Sequence, residues 1–178
     1  MFLPAGLGNT IGAPLAGRIS DIIVQRWEVK RGGVWVPEDR LRGTTIAALV
    51  FVPMSILLSG AITQYVDGTL GIVLNLVCLF VNGLGVDLVL SPCSAYFVDI
   101  MHARSAETMA ANTALRSAFT ALATAAILPL INHIGMLATN AIAAGLAWIG
   151  FVLLWVTIHY GDRMRAWLDV GFSTPSDN

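Results

Sequence analysis

The chain has 178 residues, of which 56% are apolar and only 12% charged, about half the roughly 25% of an average soluble domain. A mean hydropathy of +0.75 excludes intrinsic disorder, which needs low hydrophobicity and high charge, and leaves too few charges to coat a water-soluble domain. A net charge of −1 excludes the basic excess of a nucleic-acid-binding protein.

The first segment, Met1–Gly17, is apolar and rich in glycine, with Pro4 and Pro14, and carries no charge before Arg18. It lacks the basic start and small-residue cleavage site of a signal peptide and is slightly short for a span, so it reads as part of a transmembrane helix. Residues 18–42 then hold Arg18, Arg26, Lys30, Arg31, Arg40 and Arg42, a charged connection with Gly32-Gly33 as a turn. Within it, Trp27, Trp35 and the apolar positions of Ile22–Val29 fit either an amphipathic helix on the membrane face or an ordinary loop helix.

Beyond Arg42 the charge-free runs define the spans. No charge separates Arg42 from Asp67, Asp67 from Asp87, or Arg116 from Asp162, and a membrane helix needs about 20 mostly apolar residues. The expected spans are 43–63, 70–96, 110–131 and 137–158, followed by a tail over 160–178, of which Gly171–Asn178 is polar. With four spans, every lysine and arginine falls on one side, which the positive-inside rule makes cytoplasmic, C-terminus included.

The middle two spans are polar as well as apolar. Asn75 and Asn82 share one face of the second; Asp87, Ser91 and Ser94 share another. On the third, Thr113, Ser117, Thr120 and Thr124 form a stripe at helical period, interleaved with Ala114, Ala118, Ala121 and Ala125, small residues that permit close helix approach. Two readings are open: these groups tie helices together, at about 0.6 kcal/mol per contact, or they line a water-filled path. Asp87 leans toward the path, because a carboxylate within a span costs about 2.5–3.5 kcal/mol and such groups mark ion or substrate routes. Cys78 and Cys93, about 22 Å apart on one helix, are packing residues that cannot bridge. His102, His133 and His159 have no metal-ligand spacing, and no phosphate loop or nucleophile motif occurs, so neither an enzyme nor a cofactor is expected.

The segment Gly12-Ala13-Pro14-Leu15-Ala16-Gly17-Arg18-Ile19-Ser20-Asp21 resembles the loop signature of the major facilitator superfamily, in which a glycine-rich helix end runs into a short Gly/Asp/Arg cytoplasmic turn. Trp35-Val36-Pro37-Glu38-Asp39-Arg40-Leu41-Arg42, Tyr96-Phe97-Val98-Asp99, and Ser105–Asn112 with Leu115-Arg116-Ser117 are similar to fungal drug:proton antiporters of that family. The resemblance covers about residues 5–165. It implies an all-α multi-pass transmembrane bundle, part of the C-terminal half of the fold, from the end of helix eight through helix twelve. It also implies secondary transport of a small organic compound with proton coupling, in a plasma or vacuolar membrane, provided the N-terminal half is present. By the same resemblance Arg18, Asp21, Asp99, Arg104 and Arg116 sit where the family locks its inner gate; the expectation is that Asp99 pairs with Arg18 or Arg116 and that Asp21 serves a helix end. The alternative is a truncated, non-transporting membrane protein that associates with another transporter, or a degraded gene copy.

Overall fold

The computed structural model describes residues 3–101 and 104–168; His102 and the tail Gly171–Asn178 lie outside it. The chain is all-α, in the order α1 (Leu3–Lys30), a single turn α2 (Asp39–Arg42), α3 (Val52–Tyr65), α4 (Gly68–Ile100), α5 (Ser105–Ile134) and α6 (Met136–Leu168). A π-helical turn, Ala47–Phe51, leads into α3. Among the described residues four helices are long and apolar enough to cross a membrane: Ala47–Tyr65, Gly68–Ile100, Ser105–Ile134 and Met136–Gly161. Gly68 at the start of α4 and Gly135 between α5 and α6 have positive φ, as does Gly32 after α1, a conformation glycine adopts without the strain of a Cβ.

The loop signature does not form a turn. Helix α1 runs unbroken from Leu3 to Lys30, so Gly17-Arg18-Ile19-Ser20-Asp21 is helical and residues 18–30 continue the same rod. The cause is a buried stripe at every fourth residue: Gly8, Gly12, Ala16, Ser20 and Val24. These small side chains let α1 lie against α4 at backbone distance, the small-xxx-small mode of membrane helices. Gly8 faces the backbone of Phe80 and Leu84, Gly12 faces Leu84 and Asp87, and Gly83 faces the backbone of Ala5. Nothing ends the helix until Gly32 and Gly33.

Helix α3 packs on α4 and α6 through small and polar residues. Asn140 of α6 fills the space over Gly60. Pro53 has no N–H to give the carbonyl four residues back, that of Leu49; the indole Nε1 of Trp148 donates to this oxygen at 3.2 Å. Replacing Trp148 by phenylalanine keeps the ring and removes the donor. It is expected to weaken the α3–α6 contact by about 1–2 kcal/mol, seen as a lower thermal midpoint in detergent.

Helix α5 stands apart, with no buried residue along its length. At 33 residues, α4 is about 50 Å long, longer than a hydrocarbon core of about 30 Å. Asp87 and Asp99 lie about 18 Å apart along this helix.

Candidate functional site

The charged residues gather where α1, α2 and the ends of α4 and α6 meet. The single turn α2 is built by Trp35-Val36-Pro37-Glu38-Asp39-Arg40-Leu41-Arg42, whose proline fixes the entry and whose consecutive charges Glu38, Asp39 and Arg40 reach different partners. Asp39 is buried, with 1% of its side chain exposed. Arg31 grips it with both terminal nitrogens, Nη1 to Oδ2 at 2.7 Å and Nη2 to Oδ1 at 2.8 Å. This fork-to-fork geometry suits guanidinium and carboxylate and is among the stronger polar contacts. Arg42 adds its Nε at 3.1 Å from Oδ1, a charge contact whose N–H is not aligned on the oxygen. The guanidinium of Arg42 lies over the Trp27 ring at 4.0 Å, with Lys30 at 4.9 Å and Arg31 at 5.5 Å around the same indole. Such contacts with an indole face are worth about 0.5–1 kcal/mol at exposed sites.

Arg40 points the other way. Its Nε is 2.8 Å from Asp99 Oδ2 at the end of α4, a charge contact whose N–H is not aligned on the oxygen, and its Nη1 donates to Asp21 Oδ1 on α1 at 3.4 Å. One guanidinium thus links two helices through a third element. Beside it, Glu38 is buried. The Tyr96 hydroxyl donates to its Oε1 at 3.4 Å, and the carboxylate lies so close to Gly161 that a Cβ there would fall 2.6 Å from Oε1. Under this layer sit Leu41, Tyr96 and Ile158, with Cys93, Ile100 and Leu154 packed against them.

Of the expected gate charges, Asp21 and Asp99 are brought together, but by Arg40. Neither Arg18 nor Arg116 pairs with Asp99: both are exposed, as is Arg104, and none of the three makes an ion pair among the described residues. Arg116 lies about three turns into α5, which packs away from the cluster. Asp21, 63% exposed, lies within α1 rather than at a helix end, because α1 does not stop there. Sequence reasoning gives no role to Arg31, Glu38, Asp39 or Arg40. The available signal was four charges in five residues from Glu38 to Arg42, too dense for an unpaired loop beside a membrane.

The polar groups of the spans divide in two. Asn75 and Asn82 tie α4 to α3: Ser59 Oγ donates to Asn75 Oδ1 at 2.7 Å, Asn75 Nδ2 donates to Thr63 Oγ1 at 2.8 Å, and Asn82 Nδ2 donates to Ser55 Oγ at 2.9 Å. The partners Ser55, Ser59 and Thr63 recur every four residues, a stripe visible in the sequence that matches the asparagine face. By contrast, Thr113, Thr120 and Thr124 give their hydroxyl protons to the carbonyls of Met109, Arg116 and Thr120 on their own helix. They and Ser117 are exposed on α5. Asp87 lies against Gly12 of α1, partly exposed, as is Ser91 one turn on. The Asp87 carboxyl has no hydrogen-bond or ion-pair partner among the described residues. Cys78 and Cys93 are both free thiols.

Curated fungal proteins align with almost the whole chain. One named MFS antiporter QDR3, from Candida albicans, is 26% identical over 96% of this chain and 24% of its own length. MFS transporter OpS2 of Beauveria bassiana is 26% identical over 92% of this chain and 48% of its own. MFS-type transporter penM of Penicillium rubens is 30% identical over 92% of this chain and 31% of its own. The chain thus spans about a quarter to a half of the length of these relatives. No family model and no solved structure matches it.

Proposed function

We propose that this chain, which is a segment of the major facilitator type, serves in a secondary active transporter that moves a small organic compound across a membrane with proton coupling. Asp21, Arg40 and Asp99 form its cytoplasmic gate contact. The reading is supported by Arg40 bridging α1 and the end of α4. Transporters of this type rock one bundle against another about a midplane site, and a contact biases such an equilibrium only by its difference between the two states. Asp21, Arg40 and Asp99 belong to one bundle, where α1 and α4 are packed at backbone distance, so the contact acts by holding the cytoplasmic ends of these two helices in the arrangement against which the other bundle closes. Nine of the ten basic residues lie off the four spans and on one side of them, with Arg116 inside α5, which supports a cytoplasmic location for this layer and for the C-terminus.

Asp87, Ser91 and the α5 stripe of Thr113, Ser117, Thr120 and Thr124 are the residues of this chain that line the transport path. For Asp87 the support is a carboxyl without a partner among the described residues, in a helix long enough to span the membrane, where ionisable groups mark ion or substrate routes; for the α5 stripe, whose threonines are bonded to their own helix, it is one continuous exposed polar face. Asn75 and Asn82 serve as interhelical ties instead. The names "antiporter" and "efflux pump" carried by relatives in Candida albicans and Floropilus chiversii favour export coupled to another solute.

The gate is tested in a transporter carrying this segment. Arg40→Asp and Asp99→Arg are each expected to lower transport about fivefold or more at unchanged amounts in the membrane. The double exchange should restore most of it. Failure of the double variant to recover, with normal surface levels, rejects the pairing as a gate.

A further inference from the structure

A groove of about 1060 Å³ runs between the second half of α1, the approach to α3 and the last part of α6. Its lining changes character along the run of the helices. Toward one end, where α1 and α6 approach their C-termini, stand Arg26, Lys30, Arg42 and His159. Trp27 and Trp155 follow, the residue type that settles at the headgroup level. Ile22, Leu49 and Phe151 close the deep end. Among the described residues no carboxylate lines it. Arg42 is committed to Asp39, but Arg26 and Lys30 make no ion pair among the described residues. They are four residues apart on one face of α1, so both reach the same mouth.

We infer that this groove is a binding site for an anionic phospholipid of the cytoplasmic leaflet, its headgroup between Arg26 and Lys30 and an acyl chain along Leu49 and Phe151. The occupant follows from charge complementarity and from the basic-to-aromatic-to-apolar gradient, which is that of a phospholipid from phosphate to tail. A soluble anion would leave the apolar wall uncovered, and a neutral lipid would leave two cations unmatched. The site rests on the cytoplasmic orientation proposed above only for which leaflet supplies the lipid. Nanodiscs carry the same lipids on both faces, so a wrong orientation and an absent site give different results.

The test reconstitutes the chain in phosphatidylcholine nanodiscs containing an equal small fraction of either brominated phosphatidylserine or brominated phosphatidylcholine, and reads tryptophan quenching. Each basic side chain beside an anionic headgroup is worth about fivefold in association, so serine lipid is expected to be preferred by about fivefold or more. Arg26→Gln with Lys30→Gln should bring the ratio to about one, while Arg104→Gln with Arg116→Gln should leave it unchanged. Equal quenching by both lipids overturns the site. So does a preference that survives the first pair of substitutions, or one lost equally with the second, which would mark diffuse surface charge. Should the Arg26/Lys30 variant not reconstitute, a photoactivatable phosphatidylserine on the unaltered chain decides: labelling confined to residues 22–30, 42–49 and 151–159 supports the site, and labelling elsewhere overturns it.

Discussion

Replacing Arg31 by methionine is expected to lower stability by about 3 kcal/mol, and more than replacing Asp39 by asparagine. The two belong to one ion pair, but their surroundings differ. Asp39 is 1% exposed, whereas Arg31 is 29% and Arg42 34% exposed. Removing Arg31 strands a buried carboxylate with a single, poorly aligned cation, and an uncompensated buried charge costs about 3–5 kcal/mol; Arg42 holds the figure at the low end. Removing the charge of Asp39 leaves two arginines that can turn to water and an amide that still accepts hydrogen bonds, at a cost of about 1–2 kcal/mol. Denaturation in detergent compares the two directly. The Arg31→Met and Asp39→Leu combination should be milder than Arg31→Met alone, since a neutral apolar pair avoids the stranded charge. Equal losses from the two single substitutions would mean that the carboxylate is better hydrated than its burial implies.

The second large effect lies along the seam of α1 and α4, where glycines are expected to respond with opposite signs. A Cβ on Gly83 would fall 2.5 Å from the carbonyl oxygen of Ala5, and one on Gly8 would strike the backbone of Phe80. Backbone cannot rotate aside, so Gly83→Ala and Gly8→Ala must push the helices apart, at about 1–3 kcal/mol each. Nothing lies within 4 Å of a Cβ at Gly6 or Gly17. There alanine only restricts the unfolded chain and favours helix, a gain of about 0.5–1 kcal/mol. Thermal midpoints of the four variants separate a packed seam from a merely flexible helix. A loss at Gly17 as large as at Gly83 would show that the signature needs a break there after all.

Much of the fold was readable because bilayers impose a length. Runs without charge beyond Arg42, Asp67 and Arg116 marked the spans, and helical period marked the faces of Asn75, Asn82 and the α5 stripe. A periodic pattern says which residues share a face; it does not say which face meets it. Asn75 was legible as polar and interfacial but not as the partner of Ser59 and Thr63, which lie on another helix. Arg40 escaped notice for the same reason. Its two carboxylates, Asp21 and Asp99, come from far upstream and far downstream, and only the turn at Asp39–Arg42 brings them within reach. The expected turn at Gly17 failed differently. A glycine permits a break but does not require one, and the every-fourth-residue seam from Gly8 to Val24 favoured an unbroken helix.

The bond between Trp148 and Leu49 sets an order on biogenesis. Its two residues are 99 positions apart, and at about 5–20 residues per second a ribosome needs about 5–20 s to supply the second after the first. Throughout that interval the Leu49 carbonyl, in the π-helical turn before α3, is without its indole. The nascent protein therefore carries an internal timer. The contact between the third helix and the sixth is completed only when the sixth arrives, so α3 is expected to be held less firmly in a chain arrested between them.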